Sequence, residues 1–112
     1  MKTGITKALL AVGSLGLLLG IGLPMTAADG DAKKGAAVFD NCAVCHNSDS
    51  ADAKIGPGLK DLFKHEKLLN GKPVTDANVR EIIEKGGANM PPMGDGLSAE
   101  DKDNLLAFLK SI

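Results

Sequence analysis

Two thiols and an imidazole stand together at Cys42-Ala43-Val44-Cys45-His46, in a chain of 112 residues with only two cysteines and two histidines in all. Thiols separated by two residues can form thioether bonds to the two vinyl groups of a haem, and a histidine directly after them is placed to bind the iron. On the last turn of a helix Cys42 and Cys45 would be i and i+3, facing the same way, with His46 at the adjoining position. One short segment would then fix a porphyrin at three points.

Other uses of a Cys pair find less support. A thioredoxin-like dithiol wants a βαβ pattern nearby, and a zinc site wants more ligands than one Cys pair and His46. A disulfide between Cys42 and Cys45 would close too small a loop to constrain the chain much. Gly30 and Gly35 have phosphate-loop spacing, but Ala36 and Ala37 replace the Lys and Ser/Thr that such a loop requires. The acidic residues Asp49 and Asp52 lack calcium-loop spacing.

A ligating histidine needs its second ring nitrogen hydrogen-bonded, often to a backbone carbonyl. In Ile55-Gly56-Pro57-Gly58-Leu59 the chain turns sharply, and the carbonyl of Pro57 is the candidate acceptor for His46. The second chemical stretch is Ala88-Asn89-Met90-Pro91-Pro92-Met93, where prolines forbid regular structure and hold a thioether stiffly. Methionines ordinarily fill apolar gaps. Beside a haem motif, one of these two becomes the expected sixth iron ligand. Met90 is preferred because it directly precedes the Pro-Pro pair, whereas Met93 is followed by flexible Gly94. His65, within Lys64-His65-Glu66-Lys67, reads as an exposed residue and not a ligand.

The elements that must position these groups are helical. Asp29 or Asp31 can cap a first helix through Lys33 to Val44, with Gly35 and Phe39 on one face. Asn47 to Lys54 is a polar loop, and Leu59, Leu62 and Phe63 suggest a short apolar helix able to cover a haem edge. Asn70-Gly71 signals a turn. Thr75 caps a helix from Asp76 to Lys85 whose apolar face is Val79, Ile82 and Ile83, and Gly86-Gly87 stops it. Ser98 caps a last helix, where Leu105, Phe108 and Leu109 form one face and Lys110 suits the negative end. That face needs a partner, and the Gly35 and Phe39 face is the natural one, since Gly35 lets two backbones cross closely.

Ahead of all this, Lys2 and Lys7, an apolar stretch from Ala8 to Leu23 and Pro24-Met25-Thr26-Ala27-Ala28 make residues 1–28 a secretory signal peptide, cleaved after Ala28. A retained anchor is the lesser alternative, because the stretch is shorter than the roughly 20 residues a spanning helix needs. Cleavage removes two of the 13 basic residues and none of the 14 acidic ones, leaving a formal net charge of −3. Such a chain is unsuited to nucleic acid and has no polybasic membrane patch. Residues 29–112 form one small domain with no Trp, no Tyr and three Phe, so a covalent haem would supply missing core mass.

Taken in order, these features resemble the class I c-type cytochromes, the small monohaem bacterial kind. The resemblance rests on the Gly35 and Phe39 helix, the Cys42–His46 motif, Gly56-Pro57-Gly58-Leu59, Met90-Pro91-Pro92 and Leu105-Leu106-Ala107-Phe108-Leu109. It implies an all-α small cytochrome c fold, three to five helices around one covalent haem c, with terminal helices crossing. It also implies His46 and Met90 as axial ligands, and a monomeric one-electron carrier in the periplasm that meets redox partner proteins without stable membrane insertion. Phe108 stands where a Tyr is common in the family, and no Trp is present to meet a propionate. A gas sensor or small catalytic cytochrome with a displaceable sixth ligand is the alternative, as is a thiol-disulfide protein using the free cysteines.

Overall fold

A computed structural model of the chain describes residues 30–112. The expected signal peptide and the Asp29 cap lie outside the described residues. Three α-helices, α1 (Ala32–Phe39), α2 (Asp76–Lys85) and α3 (Ala99–Ser111), are joined by loops that include 3₁₀ turns at Leu62–Lys64 and Gly94–Gly96. No strand occurs among the described residues, only isolated antiparallel bridges between Lys67 and Pro73 and between Gly87 and Met90. The fold is all-α, as expected.

Each helix starts at a polar cap. The Asp31 carboxylate accepts from the amides of Lys33 and Lys34 at 2.8 and 3.2 Å, which satisfies donors that the first turn leaves free. Thr75 Oγ1 accepts from the amide of Asn78 at 3.1 Å. At α3 the Ser98 hydroxyl accepts from the Asp101 amide while the Asp101 carboxylate accepts from the Ser98 amide, a reciprocal capping box. Gly86 ends α2 with φ +71°, a conformation that costs a glycine little.

The first helix is shorter than its sequence suggests. The expected helix to Val44 ends at Phe39, and residues 40–45 form successive turns. Asn41 explains this: both its backbone amide (3.2 Å) and its side-chain amide (3.1 Å) donate to the Val38 carbonyl. Cys42 would need that carbonyl to continue an α-helix, and its amide instead donates to Phe39 at 2.7 Å.

α1 and α3 cross at two glycines. A Cβ at Gly35 would overlap the Asn104 carbonyl, and one at Gly30 the Asp103 carbonyl, so backbone lies on backbone. Phe39 and Phe108 stack at the same crossing with centroids 5.2 Å apart and planes tilted by 47°. Asn104, buried in α3, accepts from the Asp31 amide at 2.7 Å and so ties the first helix's cap to the last helix. The buried apolar core of the described residues is small: Phe39, Val79, Ile83, Leu105, Leu106 and Leu109. Leu59, Leu62, Phe63, Leu68, Val74 and Leu97 pack against it but stay partly open.

Candidate functional site

Cys42, Cys45 and His46 lie on the turn that follows α1. The amides of Cys45 and His46 both donate to the Cys42 carbonyl, at 3.1 and 2.9 Å, so the thiols and the imidazole are set by one tight backbone loop. Both thiols are free and half-buried. Burial pushes the Cys42 thiol above its ordinary value, and the neighbouring Cys45 adds to the rise.

A second loop clamps this turn from outside. The Gly56 amide donates to the Cys45 carbonyl at 2.7 Å, and the Lys54 ammonium donates to the Ala43 carbonyl at 3.0 Å. His46 Nδ1 lies 2.8 Å from the Pro57 carbonyl oxygen. A carbonyl can only accept, so Nδ1 carries the proton and the Nε2 lone pair is left for a metal. Gly56 sits against the imidazole itself, where a Cβ would come 2.5 Å from Cε1 and 2.9 Å from Nδ1. The sequence pointed to Pro57 through its carbonyl; the contact of Gly56 with the ring was legible only as a turn glycine.

Met90 stands on a different loop, folded against the end of α2. Gly87 and Met90 exchange backbone hydrogen bonds of 3.1 and 2.7 Å across a turn in which Ala88 holds φ +45°. Gly86 lies against the Met90–Pro92 backbone, and a Cβ there would be 2.8 Å from the Pro92 nitrogen. The Met93 amide donates to the Ile83 carbonyl at 2.8 Å, and the Met93 side chain packs on the apolar core. Met90 is absent from that packing and half-buried. Of the two thioethers, Met93 is engaged in the core and Met90 is spare.

The side chains fit a haem. Adjacent free thiols, an imidazole with one nitrogen engaged and the other available, and partly open apolar side chains at Leu59, Leu62, Phe63 and Leu68 are the donors and surface such a group requires. Among the described residues no cluster of three or more His, Cys, Asp or Glu could hold a metal ion, so the zinc reading gains no further ligand. His65 is exposed, as expected, and apart from this group. An open cavity of about 440 Å³ touches the back of His46 between α1 and the loop of Asn47 to Lys54. Its lining holds Asp40 and Asp49 but neither thiol nor Met90.

Known proteins resemble this chain in sequence and in fold. Residues 30–109 match the family model described as cytochrome C oxidase, cbb3-type, subunit III. The chain is 34% identical over 101 residues to cytochrome c2 of Blastochloris viridis, covering 75% of this chain and 80% of that one. It is 36% identical over 86 residues to the cbb3-type cytochrome c oxidase subunit FixP of Sinorhizobium medicae (strain WSM419), covering 70% of this chain but only 29% of that protein. The chain therefore spans under a third of that relative's length. Cytochrome c6 from the diatom Phaeodactylum tricornutum has a similar structure, with a TM-score of 0.59 at 28% identity, covering 73% of this chain and 93% of that one.

Proposed function

Because the chain belongs to the c-type cytochrome family, as a small class I member with covalent haem c, we propose that it is a periplasmic one-electron carrier with His46 and Met90 as axial ligands. The observation that carries the reading is at His46, whose Nδ1 is held by the Pro57 carbonyl at 2.8 Å beside two free thiols. Haem c, when bound, supplies an iron that cycles between ferrous and ferric states.

The chain's residues do the rest. Cys42 and Cys45 anchor the macrocycle through thioether bonds. The Pro57 carbonyl fixes the tautomer and plane of His46 and raises the basicity of Nε2. The Met90 thioether favours the ferrous state and raises the potential. If His46 and Met90 both hold the iron, no place would remain for a substrate, which favours a carrier over an enzyme. Leu59, Leu62 and Phe63 pack on the core and stay partly open, apolar surface that would suit the macrocycle. Val44, between the two cysteines, is 72% exposed, and Ile55 on the clamping loop is 76% exposed. They offer apolar surface at the attachment turn for brief contact with a donor or acceptor, and redox encounters use small interfaces. Among the described residues no helix is long and apolar enough to cross a membrane. The proposed carrier is a monomer that meets redox partner proteins without stable membrane insertion once residues 1–28 are removed.

The test is the absorption spectrum of the exported protein, oxidised and reduced, with and without carbon monoxide, after acid-solvent extraction. Haem that resists extraction and a low-spin iron indifferent to carbon monoxide are expected. Rapid carbon monoxide binding would move the assignment to a gas sensor or small catalytic cytochrome. The likeness to FixP favours a second reading, a haem domain that receives electrons inside an oxidase assembly. Copurification with membrane oxidase subunits would select it over a freely diffusing carrier.

A further inference from the structure

α2 and α3 meet across a row of opposite charges. Asp76, Arg80 and Glu84 stand at i, i+4 and i+8 on α2, one stripe of alternating sign. On α3 they face Lys110, Asp103 and Lys102: Asp76 pairs with Lys110, Arg80 with Asp103, and Glu84 with Lys102 at 3.2 Å. The sign inverts at every step. Sliding α2 by one turn in one direction would set Asp76 against Asp103 and Arg80 against Lys102; in the other, Arg80 would meet Lys110 and Glu84 would meet Asp103. Apolar contact through Val79 and Ile83 holds the helices together but is non-directional, whereas the charge pattern tolerates one register.

The far end of this row carries the Met90 loop. Beside Glu84, the Ile83 carbonyl accepts from Met93, and a Cβ at Gly94 would lie 3.0 Å from the Glu84 carbonyl oxygen. Gly86 abuts the backbone from Met90 to Pro92. A shift of α2 along α3 therefore moves Met90 with it. The Glu84–Lys102 pair nearest this mount is also the drier one, with side-chain exposures of 35% and 16%, so it is less screened than the exposed Lys34–Glu100 pair.

We propose that Arg80, Glu84 and Lys102 are positioning residues for the sixth iron ligand, setting the register of α2 on α3 and through it the place of the Met90 sulfur. The inference rests on Met90 being that ligand, as proposed above.

Carbon monoxide association to the ferrous haem-containing protein tests it, because this uncharged probe enters only when the sixth position opens and salt does not alter its own approach. Glu84→Lys is expected to speed association about tenfold at low salt, and the swap Glu84→Lys with Lys102→Glu to return it to within about twofold of the original rate. The unsubstituted protein should speed up several-fold on going to roughly 1 M salt, where the screening length is about 3 Å. Glu100→Lys, which breaks only the exposed pair to Lys34, should leave the rate unchanged. If Glu84→Lys does not fold, Glu84→Gln is read in its place, with a several-fold increase at low salt and a weaker salt response expected. Unchanged rates in the Glu84 variants beside a fast Met90→Ala variant would overturn the proposal, as would a swap as fast as the single reversal. A Met90→Ala variant as closed as the original would instead remove the ligation reading on which the proposal stands.

Discussion

At the scale of single residues, the imidazole of His46 is gripped from two sides, by the Pro57 carbonyl at Nδ1 and by Gly56 against the ring. Gly56→Ala would put a methyl 2.5 Å from Cε1, closer than carbon atoms approach, so ring or loop must move. Overpacking of this kind costs about 1–3 kcal/mol. The expected outcome is a shifted reduction potential and less acid-stable haem. Gly96→Ala, with nothing within 4 Å of its Cβ, should change neither. The two methionines should separate as cleanly. Met93→Ala is expected to lower stability by about 2 kcal/mol, at the low end for a partly buried Met, while the iron stays closed to carbon monoxide. Met90→Ala should open the iron with a smaller loss of packing. Denaturant titration alongside carbon monoxide binding measures both, and the reverse pattern would make Met93 the ligand. The attachment side was legible in sequence because its chemistry is local: three residues of one motif and a carbonyl eleven positions on. The preference for Met90 rests on the prolines and on Gly94 after Met93, since nothing in a sequence says which thioether a core will absorb.

At the scale of elements, the α1–α3 crossing turns on Gly35, and two effects oppose there. Alanine is the better helix former by about 1 kcal/mol. Its Cβ would overlap the Asn104 carbonyl, which is backbone and cannot rotate aside. The clash is the larger effect, so Gly35→Ala should destabilise the haem-containing protein by about 2–3 kcal/mol in urea titration; a stabilised variant would mean that the helices do not cross so closely. α2 carries a lateral tie as well, with the Glu81 carboxylate bonded by Lys72 at 2.8 Å and Lys85 at 3.3 Å. Hydrogen bonds from Lys72 and then Lys85 hold its pKa below the usual carboxylate value. A pKa lower in the folded state than in the unfolded chain adds stability above the unfolded value and loses it as pH falls through the folded one. Glu81→Gln should therefore lower the thermal midpoint slightly at neutral pH, and the difference should vanish in acid. The caps at Thr75 and Ser98, the extent of α2 and the Gly35 crossing could all be read from residue type and spacing. The end of α1 could not, because it depends on Asn41 taking the Val38 carbonyl, a competition between hydrogen bonds that periodicity does not register. The ion pairs between α2 and α3 were equally hidden: spacing shows which residues share a face, not which face they meet. Lys110, a complement to its own helix end as read, also pairs with Asp76 at the start of α2.

At the scale of the whole molecule, the question is what fills the middle. Among the described residues six apolar side chains are buried, and all of them come from the three helices. The loops contribute Leu59, Leu62, Phe63, Leu68, Val74 and Leu97, which touch that core without being closed over. A domain of this size is marginal even with a complete core, and this one leaves the apolar side chains of its loops only partly covered. Ties such as the Asn104 side chain to the Asp31 amide and the ion pairs along α2 fix orientation, but they are few, and exposed pairs such as Lys34–Glu100 contribute little against chain entropy. The haem is thus a structural member as well as the redox centre. Replacing both thiols, Cys42→Ser with Cys45→Ser, removes the covalent hold while leaving every helix cap in place. The expected product keeps helical circular dichroism, binds a hydrophobic dye, and melts over a broad range without a cooperative transition. The α1–α3 crossing is the part that should persist, since its contacts at Gly35, Phe39, Phe108 and Asn104 are made between protein groups alone. A sharp transition at a temperature near that of the haem-containing protein would show that the helices pack sufficiently by themselves, and that the partly open apolar side chains of the loops serve the redox potential and not the fold.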